Sequence, residues 1–194
     1  MKDASEFRSP VTSAQSWRPY ARAFIWGLAD ATFFFVVPDA LLTHLALRNF
    51  RRALLAGLWA TAGVVLGGTV LWIAARQGHT QALLNAFDWI PGISRDLIVL
   101  TAQSLNHHGI NAVATGAAVG QPFKIYAVHA GAQNIALAPF LAVGAATHLA
   151  RFALTSSAAW LLARSLRNRP EAFLLRVHVY AWIGFYTAYF ALVR

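Results

Sequence analysis

Two aspartates, Asp30 and Asp39, lie in the apolar segment ADATFFFVVPDALL, which runs from Ala29 to Leu42. A carboxylate at membrane depth costs about 3 kcal/mol on insertion scales, so it is rarely found there without a partner or a role. Desolvation favours the protonated form of such a group, which would suit a proton carrier. Because Asp39 follows Pro38, the alternative for this residue is a cap at the start of a helix. Both aspartates are candidate proton-binding groups.

Two cations, Lys124 and Arg151, also lie in apolar surroundings. Arg151 is near the middle of the apolar block Ile135–Ala163, too deep for its side chain to reach the surface easily. Each cation needs an anion. One alternative is a static ion pair with Asp30 or Asp39. The other is a lipid phosphate, which Arg151 would bind bidentately and Lys124 as a point charge.

Three histidines, His44, His129 and His148, could titrate in the physiological range. A neutral buried histidine that bonds to the backbone is the commoner arrangement. We include His148 among the candidate substrate-binding or proton-binding residues. The pair His107-His108 has no evident partners for a metal ion, so we expect neither a metal nor a cofactor.

The sequence offers little that could carry covalent or hydrolytic chemistry. It has no cysteine, which excludes disulfides, thiolate metal sites and thiol catalysis. No serine–histidine nucleophile pair, paired histidine and acid, or metal cage is recognisable. We therefore predict that the chain is not an enzyme.

The elements that must position these charges are membrane helices. The chain is 58% hydrophobic with a mean hydropathy of +0.50, and 12% of its residues are charged. Soluble domains have about 25% charged residues, so this composition is typical of an integral membrane protein. The segment Ala53–Ala75 has no ionisable residue and is long enough to cross a hydrocarbon core of about 30 Å. Ile135–Ala163 and Leu174–Val193 are predicted as two further spans.

Two other apolar segments contain a proline near the middle. Tyr20–Leu47 is interrupted at Pro38, and Gly109–Asn134 is interrupted at Pro122. Proline cannot donate to the helix ladder and clashes with the preceding turn. Each segment is either one kinked span or a re-entrant hairpin, and we expect the helix of the first segment to run to Val37. Irregular backbone at that depth must be buried in protein or line a wet cavity.

The distribution of arginine favours the hairpin. Arginines lie at the start of the first broken segment and also follow its end, so both ends are expected on the cytoplasmic side. They are Arg18, Arg22, Arg48, Arg51 and Arg52. Arg48, Arg51 and Arg52 are mainly topology signals that could also gather anionic headgroups. A net charge of +9 distributed in this way does not indicate nucleic-acid binding.

These observations predict an all-α membrane protein with two inverted re-entrant hairpins and about three full spans. Residues 1–18 are predicted as a polar cytoplasmic tail, not a removed signal, and residues 19–194 as one membrane domain. The outer loop Arg76–His108 should contain a helix over Ser94–Leu105 that is capped by Ser94. Gly63 and Gly67, like Gly116 and Gly120, have the spacing that permits close helix packing.

Several motifs, in order, resemble those of the DedA membrane proteins, and most closely the YqaA-like branch, which shares the VTT (SNARE-associated Golgi protein) domain. They are LADATFFFVVPDALL, the basic cluster and glycine-rich span LRNFRRALLAGLWATAGVVLGGTVLWIAAR, the turn GQPFKIYAVHAGA, and HLARF. The resemblance covers residues 22–164. The chain departs from the family pattern at several positions: Asp30 stands where glutamate is usual, Phe35 and Val37 replace turn prolines, Phe123 replaces tyrosine, and His148 replaces a basic residue.

The resemblance implies a multi-pass bacterial inner-membrane protein that moves lipids across the bilayer, notably undecaprenyl phosphate, with dependence on the proton motive force. Our hypothesis is a lipid-phosphate translocator whose partners are anionic or polyprenyl-phosphate lipids and protons. The alternatives are a proton-coupled small-ion antiporter on the same scaffold and a structural or assembly protein. The sequence does not determine the oligomeric state, and a homo-oligomer is one of the alternatives.

Overall fold

The computed structural model of the chain describes residues 17–118 and 120–192. Within these ranges the protein is all-α, with helices and no strand, which confirms the all-α part of the predicted fold class. The helices are α1 (Arg18–Asp30), α2 (Asp39–Arg48), α3 (Phe50–Ala74), α4 (Thr80–Phe87), α5 (Arg95–His108), α6 (Asn111–Ala118), α7 (Phe123–Ala132), α8 (Leu137–Ser165) and α9 (Glu171–Leu192). The predicted tail lies outside the described residues up to residue 16, and its last residue already belongs to α1.

Two helical segments of the described chain are long and apolar enough to cross a membrane. They are Phe50–Phe87, in which α3 continues through a wide turn at Ala75–His79 into α4, and Leu137–Ser165, which is α8. Only 22% of the most apolar 18-residue stretch of α8 is buried within the protein. A core helix of a soluble protein would bury most of its leucines, so this exposure favours lipid as the neighbour of α8.

The helix α3 begins three residues earlier than its apolar segment. The side chain of Asn49 accepts a hydrogen bond from the Arg52 backbone N–H at 3.0 Å and so caps the helix. As a result, Arg51 and Arg52 lie in the first helical turn and not in a preceding loop. The cap satisfies one of the backbone donors at the helix start that have no partner within the helix.

The break in the first segment starts well before its proline. The helix α1 ends at Asp30, so the prediction that it runs to Val37 was wrong. Side chains stabilise the departure from the helix. The Thr32 hydroxyl donates to the Leu28 carbonyl oxygen at 2.8 Å, and the Trp26 indole N–H donates to the Val36 carbonyl oxygen at 2.7 Å. These local bonds replace helical ones before Pro38 restricts the backbone.

The helices α1 and α3 pack closely and run in the same direction. A Cβ atom at Gly27 would collide with the Ala60 carbonyl, and one at Gly67 would press against Ala31. At Gly63 it would collide with the backbone of α1. The expected packing role of the Gly63 and Gly67 pair is confirmed. In the pair Gly116 and Gly120, Gly120 has a φ of +81° and open space around it. Its role is therefore to allow the turn between α6 and α7, not to permit close helix packing.

Replacing Gly63 with alanine is expected to destabilise the protein by about 1–3 kcal/mol, because the new methyl group forces α1 and α3 apart. Gly184→Ala is the matched control, since a Cβ atom at Gly184 meets nothing within 4 Å. The thermal unfolding midpoint in detergent should fall for the first variant and not for the second. Equal midpoints would show that α1 and α3 are not in close contact.

The other long helix, α8, runs antiparallel to α3. Near the start of α8, the Ile135 carbonyl oxygen accepts a hydrogen bond from the Trp72 indole N–H at 3.0 Å. Near its end, the Trp160 ring stacks on Phe50 at 5.2 Å between centroids. The helix α2 also returns along α3, because Leu42 lies beside Gly57 and α2 ends where α3 begins. The two broken segments are thereby held against one pair of long helices.

The predicted outer loop is largely helical, since α4 and α5 lie within Arg76–His108. Ser94 caps α5 by accepting a hydrogen bond from the Leu97 backbone N–H at 3.2 Å, which confirms the predicted cap. The helix α5 is not isolated. His129 of α7 contacts the Ile98 carbonyl oxygen at 3.2 Å, so α5 packs on the second broken segment.

Candidate functional site

A cavity of about 490 Å³ lies where the two broken segments approach each other. Its walls come from the residues after α1, the start of α2, the residues between α6 and α7, the middle of α8 and the aromatic face of α9. All five predicted substrate-binding or proton-binding residues line it: Asp30, Asp39, Lys124, His148 and Arg151. Residues that are far apart in the sequence are thus brought to one place by the tertiary structure.

The carboxylate of Asp39 faces α8. Asp39 is only 2% exposed, and its Oδ1 accepts a hydrogen bond from the Thr155 hydroxyl at 2.8 Å. Its Oδ2 lies 3.2 Å from Nη2 of Arg151. No backbone N–H of α2 donates to this side chain. Asp39 therefore does not cap the helix, which was the alternative role considered for it. It links α2 to α8 instead.

The contact between Asp39 and Arg151 leaves hydrogen-bonding atoms of both side chains without a partner among the described residues. The two groups are close enough for an ion pair but are not aligned for a hydrogen bond. Among residues 17–118 and 120–192, the Asp39 Oδ2 and the Arg151 Nε and Nη2 atoms therefore have no hydrogen-bond partner. Buried charged groups without full hydrogen bonding are costly, and the two guanidinium nitrogens have N–H groups that can donate to an additional oxygen.

Lys124 connects the two broken segments. Its side chain is buried, and its Nζ donates to the Phe34 carbonyl oxygen at 2.6 Å. That carbonyl is available because Phe34 lies in the irregular stretch that follows α1. An ammonium group has three donors, and only this bond is formed within the described part of the chain. Lys124 therefore retains donors for a ligand in the cavity.

Asp30 is the last residue of α1 and is partly buried at the cavity wall. Its carboxylate forms no hydrogen bond or ion pair with any residue that the structure describes, although Lys124 and Arg151 are near enough to act on it electrostatically. Asp30 and Asp39 thus have different surroundings. Asp39 bonds to α8, whereas Asp30 interacts with its described neighbours only through longer-range electrostatics.

His148 lies on the cavity wall between two aromatic rings. Its Nδ1 is 2.8 Å from the Gly144 carbonyl oxygen and must be the donor in that bond. The Phe123 and Phe152 rings contact the imidazole edge-on at 5.2 and 5.8 Å between centroids. This is the backbone-bonded histidine that we considered the commoner arrangement, so His148 contributes shape to the cavity and its role in binding stays a prediction.

The remaining histidines do not face the cavity. His129 bonds to the backbone of α5, and the His44 ring lies 5.7 Å from the ring of His178 on α9. No group of three or more histidine, cysteine, aspartate or glutamate side chains in the described ranges could hold a metal ion.

The two prolines and the arginine cluster have separate positions. Pro122 lines the cavity just before α7, whereas Pro38 is fully buried just before α2. The cluster Arg48, Arg51 and Arg52 is exposed and does not line the cavity. Arg48 pairs instead with Glu171, the first residue of α9, at 2.5 Å.

One wall of the cavity was not predicted. Four aromatic residues of α9 line it, although this segment was predicted from the sequence only as a membrane span. They are Trp182, Phe185, Tyr186 and Tyr189. Their separation by three or four residues places them on one face of a helix, a signal that could have indicated a packed or ligand-facing surface.

Comparisons with protein-family models, with curated proteins and with solved structures find no match for this chain. Its function must therefore be argued from the cavity.

Proposed function

We propose that this protein is a lipid translocator of the bacterial cytoplasmic membrane, with a DedA-like arrangement of helices. It moves a lipid phosphate, either undecaprenyl phosphate or a phospholipid, between the leaflets in a proton-coupled manner. The observation that supports this most directly is the presence of a buried cation, Lys124, and a partly buried one, Arg151, with unused donors in one cavity. Phosphate oxygens are the ligands that such donors prefer.

Several contacts support the two opposed re-entrant hairpins of this proposal. Along α3, α1 runs in the same direction and α2 returns, so the first broken segment enters and leaves at one end. The second segment turns at Gly120–Pro122, and Gly116 of α6 lies beside Tyr126 of α7. Broken helices that meet at mid-depth are a common transporter architecture. In the proposed topology α9 is the third span.

The proposed cycle uses competition for the cations. Without a ligand, Asp39 lies against Arg151, and Lys124 bonds to the Phe34 carbonyl oxygen. A headgroup phosphate would engage the unused nitrogens of both cations. Protonation of Asp30 would remove a nearby negative charge and strengthen the attraction of the cavity for the phosphate. Release of that proton on the other side would then weaken binding.

The topology can be tested by cysteine labelling, because the natural chain has no cysteine. Arg18→Cys and Arg51→Cys should both react with a membrane-impermeant maleimide that is added outside inside-out vesicles. His108→Cys should react only when the reagent reaches the inner face of these vesicles. All three positions are exposed. If Arg18→Cys and Arg51→Cys label from opposite sides, the first segment crosses the bilayer and is not a hairpin.

Transport can be tested by reconstituting the full chain into liposomes that contain labelled undecaprenyl phosphate or labelled phospholipid. We expect protein-dependent movement of label between leaflets that increases with an imposed pH gradient. Liposomes that contain the Lys124→Gln and Arg151→Gln double variant are the control for leakage. Absence of movement with both lipids at every pH gradient would refute the proposal, and ion flux without either lipid would favour the antiporter.

A structural role is the second candidate, and the contact between Asp39 and Arg151 favours it. In that case the charges only join α2 to α8. Neutralising Asp30, which forms no direct bond to any described residue, would then leave both growth of the host and lipid movement unchanged. Loss of movement with retained insertion favours the translocator.

A further inference from the structure

Tyr186 of α9 contributes a hydroxyl group to the cavity. Its oxygen accepts a hydrogen bond from the Val37 backbone N–H at 2.9 Å. A tyrosine hydroxyl can both accept and donate. Its own proton has no acceptor among residues 17–118 and 120–192. The group is therefore an unused donor.

Aromatic contacts hold the hydroxyl in place. The Phe35 ring meets the Tyr186 ring edge-on at 6.4 Å, and Trp182 and Phe190 flank it at 5.8 and 6.2 Å between centroids. With the ring held and the Val37 bond formed, few orientations of the O–H remain. Tyr186 lines the same cavity as Lys124 and Arg151. Its hydroxyl lies within electrostatic range of the Asp30 and Asp39 carboxylates as well as of Arg151. A fixed neutral donor beside two cations is suited to an oxyanion.

We propose that Tyr186 is a ligand-binding residue, whose hydroxyl donates a hydrogen bond to an oxyanion that Lys124 and Arg151 also bind. This inference rests on the proposed function and extends its site to α9. The ligand class is a phosphate monoester or diester oxyanion, whether it comes from a lipid headgroup or from free phosphate. Of the other wall residues of α9, Trp182 and Phe185 would then contact apolar atoms of a lipid ligand.

Tyr189 provides a matched control on the same helix face. It also lines the cavity, but its hydroxyl donates to the Gly92 carbonyl oxygen at 3.3 Å, so its proton is already used. Tyr186→Phe and Tyr189→Phe each remove one hydroxyl and one link between α9 and a loop. Only the first removes an unused donor.

The test measures binding of dodecyl phosphate and, separately, of inorganic phosphate to the purified full chain in detergent. Tyr186→Phe should weaken dodecyl phosphate binding about tenfold, as expected for loss of a hydrogen bond to a charged group. Tyr189→Phe should change it by less than about twofold. The rise in unfolding temperature on ligand addition, taken relative to each variant without ligand, gives a second readout that tolerates a destabilised variant. Tyr186→His, which keeps a ring N–H, should recover part of the affinity.

Each outcome decides the inference. Equal affinities for Tyr186→Phe and wild type, with Lys124→Gln binding weakened, would overturn the role of Tyr186 and leave the proposed function standing. Equal losses in both tyrosine variants would also overturn it, because the effect would then come from the position of α9. Binding of neither probe by the wild type would refute it as well. The expected loss without lipid movement in liposomes would support Tyr186 and refute the transport function. Preference for dodecyl phosphate indicates a lipid ligand, and equal binding indicates free phosphate.

Discussion

Replacing Arg151 with glutamine is expected to destabilise the protein by about 3–5 kcal/mol, the usual cost of leaving a buried charge without its partner. The carboxylate of Asp39 is nearly inaccessible, and its Oδ2 has no other cation within 4 Å in the described ranges. The hydrogen bond from Thr155 to Oδ1 would remain, but it cannot balance the charge. The unfolding midpoint in detergent measures the effect.

Two variants separate this explanation from a general effect of losing an arginine. Arg95→Gln breaks an exposed ion pair with Asp88, 2.8 Å long, which should cost about 0–1 kcal/mol. Adding Asp39→Asn to Arg151→Gln removes the orphaned charge and should restore part of the lost stability. If Arg151→Gln unfolds at the wild-type midpoint, the pair is not a buried contact and its place in the proposed cycle is lost.

The same substitution should reduce lipid movement by about 100-fold, since a charge-assisted hydrogen bond contributes up to about 3 kcal/mol. Arg151→Lys keeps the charge but loses the planar pair of donors, so we expect an intermediate rate. Movement is compared at equal amounts of folded, reconstituted protein. A wild-type rate in the glutamine variant would exclude Arg151 as a ligand of the phosphate.

Replacing Asp30 with asparagine is expected to leave stability unchanged and to abolish the response to a pH gradient. Within the described residues the carboxylate forms no hydrogen bond or ion pair, so the substitution breaks no direct contact and removes only its longer-range attraction to Lys124 and Arg151. In the proposed cycle Asp30 binds the proton. The ratio of lipid movement with and without a gradient should therefore fall to about one, because a site without a proton-dependent charge has no differential affinity to exploit.

Asp30→Glu restores the titratable group with one more methylene and should recover the response in part. Asp96→Asn is the matched control, because Asp96 is exposed in the first turn of α5. A gradient response that persists in Asp30→Asn would assign the proton to another group. Asp39 would be the next candidate.

The sequence was sufficient where the structure is local. Pro38 and Pro122 indicate broken segments because proline cannot continue a helix, and both breaks are present. The cap at Ser94 also follows from local hydrogen bonding. The end of α1 at Asp30 was not predicted. Hydrogen bonds from the Trp26 and Thr32 side chains stabilise this end, and their geometry cannot be predicted from the amino-acid composition.

The amino-acid sequence by itself determined which charged residues form the candidate site, because ionisable side chains in apolar segments are too costly to be accidental. Only the tertiary structure decided which of these charged residues contact one another. Asp39 contacts Arg151, Lys124 bonds to the Phe34 carbonyl oxygen, and Asp30 forms no direct bond to any residue that the structure describes. It also decided that α9 forms a wall of the cavity. The physical reason is that burial costs depend on each residue and its segment, whereas ion pairing and wall formation depend on distances between segments that are remote in the chain.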